Sequence, residues 1–166
     1  PSVLVPRLTH GDVTVWDTLA IAEYLAEIAP GAGLLPTGLA ARAHCRAVSG
    51  EMHSGFYNLR SALPMNLKAR HQSFKVFSGA RPDIERIKAI WRECLTQYGA
   101  ASPFGDLSMA DAMFARVCTP FRTLAVPLEP DVQRYCDRIL DWPLLKEWTQ
   151  GAVAEPDEID ELEVEF

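Results

Sequence analysis

The chain has 166 residues, of which 48% are hydrophobic and 23% charged. That is the make-up of one compact domain, or of one and a half small ones, and not of a disordered chain. No apolar run reaches the length of about 18 residues that crosses a bilayer, and Pro1-Ser2-Val3 lacks the basic stretch and apolar run of a signal peptide, so the cytosol is the expected location. The net charge of −6 sits at the end: Glu155 to Phe166 holds seven acidic and no basic residues, which leaves fifteen acidic against sixteen basic before it. Residues 155–166 therefore read as a solvated acidic tail on a nearly neutral body. No cluster of Lys and Arg is interleaved with aromatics, so nucleic acid is not an expected partner.

In chain order, Val3, Val5 and Leu8 lie in an extended run interrupted by Pro6, and the residue before a proline is pushed away from helix. His10-Gly11-Asp12 is a turn signal, after which Val13 and Val15 alternate with Thr14 and Trp16 as a strand requires. Asp17 or Thr18 can cap the helix that follows, where Leu19, Ala20, Ile21, Ala22, Tyr24, Leu25 and Ile28 are strong formers or core-facing residues. Pro30-Gly31 stops it. Residues 1–30 form one unit in this reading, 31–38 a linker, and 39–154 an all-helical domain.

Thr37 opens a long helical segment expected to reach about Leu63. Within it Met52, Phe56, Leu59 and Leu63 are spaced four, three and four apart, one face of a helix, and Pro64 ends or kinks it. Residues 66–80 are polar, with Phe74, Val76 and Phe77 as anchors. Pro82 is placed at a helix start, and Ile84, Ile87, Trp91, Cys94, Leu95 and Tyr98 make the buried stripe that Gly99 closes. Ser108-Met109-Ala110-Asp111 is a capping box with Leu107 before it. The helix beyond is apolar on nearly every side, as befits the middle of a bundle, except for Arg116, which must snorkel or pair. Pro130 opens another helix with Val132, Tyr135 and Ile139, and Trp142-Pro143 starts a short last one.

The residues show little catalytic chemistry by themselves. The four cysteines, Cys45, Cys94, Cys118 and Cys136, form no CxxC and read as reduced, half-buried packing residues. His10, His44, His53 and His71 lie in no metal-ligand spacing, so no metal is expected. His53 and Ser54 are neighbours, and adjacent helical residues do not face each other, so they read as structural. Two local features point to a ligand. Val5-Pro6 stands either on a sheet edge or in a cis bond that turns the backbone outward, freeing main-chain groups for an extended peptide. Trp16-Asp17-Thr18 brings a hydroxyl to a helix start, where amides and the dipole suit a carboxylate.

These features resemble the glutathione S-transferase family. The run Val5-Pro6-Arg7-Leu8, then Asp12 to Glu27 with Asp17-Thr18-Leu19-Ala20-Ile21-Ala22-Glu23-Tyr24-Leu25, is similar to its signature. Leu34-Leu35-Pro36 and Arg42-Ala43 resemble its inter-domain join. Glu51 to Phe56, Leu59-Arg60 and Leu63-Pro64-Met65-Asn66 look like a bacterial subgroup, and Ser108-x-x-Asp111 matches its capping box. The resemblance implies an α+β, mostly α fold: part of a thioredoxin-like domain (β-β-α) followed by an all-helical domain. It implies that the bond before Pro6 is cis, that the Val5 main chain pairs with the cysteinyl part of glutathione, and that Asp17 and Thr18 hold its γ-glutamyl end. Thr18 stands where the family has Ser and keeps the hydroxyl. Met52, His53, Phe56 and Arg60 are the candidates for the wall of the electrophile pocket.

The family's β-α-β unit, which carries the residue that stabilises the glutathione thiolate, would precede Pro1, so that catalytic residue is expected outside this chain. The implied activity is transfer of the glutathione thiol to a small hydrophobic electrophile, with glutathione as co-substrate, by a homodimer. A non-catalytic interaction module of the same fold and a glutathione-dependent isomerase or reductase are the alternatives.

Overall fold

Gly11 makes the first turn possible. It takes φ 59, a left-handed conformation that glycine adopts without a steric penalty, and it joins β1 (Arg7–His10) to β2 (Val13–Trp16). The computed structural model describes residues 5–63, 65, 67–68, 78–99 and 101–156. The two strands pair antiparallel, Arg7 opposite Trp16, Leu8 opposite Val15, Thr9 opposite Thr14 and His10 opposite Val13. Of the apolar run read before the turn, Val5 is left outside the strand and Val3 lies outside the described residues.

Asp17, not Thr18, is the N-cap of α1 (Thr18–Ile28), and none of the side chains of this helix is fully buried. Its apolar residues were expected to face a core; a two-stranded sheet offers too little surface to cover them. A 3-10 turn at Pro30–Ala32 ends in Gly33 at φ 69 and leads into the linker. Arg42 holds that linker by donating from Nε to the Pro36 carbonyl at 3.0 Å and from Nη2 to the Thr37 carbonyl at 2.6 Å. The Leu34 carbonyl accepts from the Met109 N–H at 2.8 Å, tying the linker to the helical domain.

That domain contains α2 (Leu39–Ser54), α3 (Tyr57–Ala62), α4 (Arg81–Tyr98), α5 (Met109–Thr123), α6 (Pro130–Asp141) and α7 (Pro143–Ala154). The single long helix expected up to Leu63 is broken in two. Gly55 leaves helical geometry and Phe56 takes φ 61. A Cβ on Gly55 would stand 2.6 Å from the Glu51 carbonyl oxygen, so the break depends on glycine. Met52, Phe56, Leu59 and Leu63 nevertheless all reach the core.

The core centres on Trp91 of α4, which meets Phe114, Phe121 and Tyr135 edge-on at centroid distances of 5.6, 5.7 and 5.1 Å, a geometry that aromatic quadrupoles favour. Helix α5 lies in the middle of the bundle, as its composition predicts, with ten buried residues. Inside it, Pro120 has no N–H to give the Arg116 carbonyl. The cysteines are buried more deeply than half and are free thiols. Helix α7 is no shorter than α6, 12 residues each. Pro64, Asn66, Phe74, Val76, Phe77 and the tail beyond Pro156 lie outside the described residues. Among the described residues no helix is long and apolar enough to cross a membrane.

Candidate functional site

The hairpin register decides where the two ligand features fall. Because Arg7 pairs with Trp16, the residues just before β1 and just after β2, Val5-Pro6 and Asp17-Thr18, share one end of the hairpin, where paired strands run about 5 Å apart. The Val5–Pro6 peptide bond is cis, and Val5 is 89% exposed.

Asp17 sits in a left-handed conformation at φ 77. This turns its carboxylate back over the start of α1, where Oδ1 accepts from the N–H of Leu19 at 2.9 Å and of Ala20 at 3.2 Å. Oδ2 lies 2.9 Å from His53 Nε2, and since an ionised carboxylate only accepts, the imidazole nitrogen carries the hydrogen. The Ala20 N–H above all, then the Leu19 N–H and the imidazole, hold the Asp17 carboxyl below the usual carboxylate range against a desolvation effect second only to the Ala20 bond. The helix start is thus a fixed negative charge beside the hydroxyl-bearing Thr18.

His53 reaches this charge from the last turn of α2, so the structure ties a residue read as pocket wall to a residue read as glutathione ligand. Ser54 donates its hydroxyl to the Gly50 carbonyl at 3.0 Å, and neither residue is set to activate the other. Arg60 follows the helix break and donates from Nη2 to the carbonyls of Met52 and His53, closing the C-terminal end of α2. Met52 is 0% exposed and Phe56 8%; both belong to the hydrophobic core, and Met52 has no surface to offer a bound molecule. Of the four pocket candidates, His53 and Arg60 are the two that are only partly buried.

The Asp17–His53 contact is the part of the site that sequence reasoning missed. No local signal announces it, because the two residues meet only when α1 packs on α2. A second link between those helices is the bidentate pair of Arg46 and Glu23, at 2.6 and 2.7 Å. Ser108 and Asp111 form the capping box that the sequence predicts. Among the described residues no three His, Cys, Asp or Glu side chains gather as a metal site would require.

Neither a protein-family model nor a curated protein matches the sequence. Solved structures do match its fold. A glutathione transferase homolog from Burkholderia gl BGR1, with bound glutathione, is similar at 26% identity and a TM-score of 0.66, over 90% of this chain and 72% of that one. A glutathione S-transferase from Rhodospirillum rubrum F11 is similar at 20% identity and a TM-score of 0.65, over 93% and 72%. A glutathione transferase homolog from Sulfitobacter, also with bound glutathione, shares 20% identity and a TM-score of 0.58, over 90% and 83%. The fold that the hairpin and capping-box motifs led us to expect is the fold these proteins share with it, and the chain has the glutathione S-transferase fold.

Proposed function

We propose that the chain binds glutathione between the Val5 main chain and the start of α1, and serves the transfer of its thiol to a small hydrophobic electrophile. The reading rests on one observation above all: an ionised Asp17 locked beside Thr18 at the end of the hairpin where Val5-Pro6 lies. Glutathione bound in the Burkholderia and Sulfitobacter proteins supports it. A γ-glutamyl group carries both an ammonium and a carboxylate at one carbon. Asp17 Oδ2, which keeps a lone pair beyond its bond with His53, receives the ammonium, and the Thr18 hydroxyl at the positive end of the α1 dipole receives the carboxylate.

The chemistry is nucleophilic. The thiol gives its proton to solvent, the sulfur pair forms a C–S bond at the electrophilic carbon, and the leaving group departs with the electrons of the bond that breaks. Arg60, by holding the Met52 and His53 carbonyls, positions the His53 imidazole that anchors Asp17. Homodimerisation and a cytosolic location belong to the same proposal.

Calorimetric titration with glutathione tests it. Asp17→Asn keeps a good N-cap but removes the charge, and Thr18→Val removes the hydroxyl while keeping the side-chain shape. Each is expected to weaken binding about tenfold, the worth of one charge-assisted hydrogen bond. No binding by the native chain, or unchanged affinity in both variants, would refute the site. Turnover of a chromogenic aryl halide with glutathione then separates a transferase from a binding module.

A further inference from the structure

Arg116 breaks the charge pattern of the molecule. Arg46 pairs with Glu23, Arg86 with Glu51 and Arg92 with Glu129. Among the described residues Arg116 has neither an ion pair nor a hydrogen bond from its guanidinium, and the charge that acts on it is another cation, Arg60. Arg60 in turn has a buried Nε with no hydrogen-bond partner.

Arg116 is exposed at the edge of an apolar groove. It lines a cavity of about 280 Å³ together with Ala115 of α5, Trp142, and Leu144, Leu145 and Trp148 of α7, and it is the only charged residue of that wall among the described residues. Partial desolvation, chiefly, and the Arg60 charge draw the guanidinium below the ordinary arginine range, while the side chain keeps its contact with solvent. Arginine stays protonated at neutral pH even so. A solvent-exposed cation at the edge of an apolar groove suits an anion that brings its own apolar body to that groove. The volume lies just below the range of about 300–1,000 Å³ typical of ligand pockets, which suits a small molecule.

We propose that this cavity binds a small aromatic carboxylate, its carboxylate on Arg116 and its ring against Trp142 and Trp148. The guanidinium fork matches two carboxylate oxygens, while a phosphate, more strongly hydrated, would lose more on entering an apolar wall. On the glutathione side, Arg60, whose charge acts on Arg116, donates to the His53 carbonyl, and the His53 imidazole meets Asp17. Resting on the reading of the preceding subsection, the cavity names the electrophile class, an aromatic molecule carrying a carboxylate.

Tryptophan fluorescence reports on the cavity directly, because Trp142 and Trp148 form part of its wall. The native chain, without glutathione, is titrated with 4-phenylbutanoate and with its methyl ester. The acid is expected to bind about tenfold more tightly than the ester. R116Q should remove that preference and R116K keep part of it, with far-UV circular dichroism confirming that both variants fold. Equal binding of acid and ester by the native chain, or an undiminished preference in folded R116Q, overturns the proposal. The acid–ester comparison needs no variant. A chain that prefers the acid but binds no glutathione keeps this site and refutes the glutathione reading; a chain that binds glutathione without preferring the acid does the reverse.

Discussion

Two aspartates show how position sets the sense of a charge. Asp111, 0% exposed, accepts with Oδ2 from the Ser108 N–H at 2.8 Å and the Ser108 hydroxyl at 3.0 Å. Burial outweighs these bonds and pushes its carboxyl up from 3.8. The folded state therefore holds this proton more tightly than the unfolded state. Its contribution to stability is greatest in acid and declines as pH rises from 3.8 through the folded value. Asp17 has the opposite sense: its folded value is lowered from 3.8, so its contribution is present above that pH and is lost as pH falls through the folded value. We expect the stability advantage of the native chain over Asp111→Asn to shrink as pH rises from about 4 to 7, measured by urea unfolding at several pH values; an advantage that grows with pH would contradict the burial argument. The capping box was legible because it spans a single helical turn. The clasp of His53 on Asp17 was not, because it joins residues on separate helices.

At the scale of elements, the hairpin and α1 differ from the bundle they lean on. None of the side chains of α1 is buried, and none of β1 or β2 is buried either. Two of the links to α2 are the Arg46–Glu23 pair and the His53–Asp17 contact, and exposed ion pairs of this kind contribute about 0–1 kcal/mol each. Hydrogen exchange in the native state should therefore show β1, β2 and α1 exchanging well before α4, α5 and α6, by opening locally without unfolding the bundle. Equal protection across both parts would show one cooperative unit instead. The broken helix carries a related lesson. The spacing of Met52, Phe56, Leu59 and Leu63 correctly identified buried residues but suggested one continuous helix. Periodicity reports which side chains are covered, whereas the Gly55 close approach to Glu51 and the left-handed Phe56 are set by how the chain turns back on itself.

For the molecule as a whole, stability lies in the helical core around Trp91. Its ring is 0% exposed and touches aromatic rings from α5 and α6, so it joins three helices at once. Trp91→Ala is expected to cost about 3–5 kcal/mol, as large-to-small changes in packed cores do, read as a lower denaturant midpoint; a loss below about 1 kcal/mol, the level of a surface change, would mean that the core closes around the cavity. By itself the sequence determined the hairpin turn, the start of α1, the capping box, the apolar stripes and, through the order of these motifs, the family resemblance. Each depends on residues within a few positions of one another, where backbone sterics and local hydrogen bonds decide. Only the tertiary structure decided that Asp17 meets His53, that Met52 is buried in the core, and that Arg116 lines one groove with two tryptophans. Those facts depend on which distant surfaces pack together, and packing is a property of the whole set of helices.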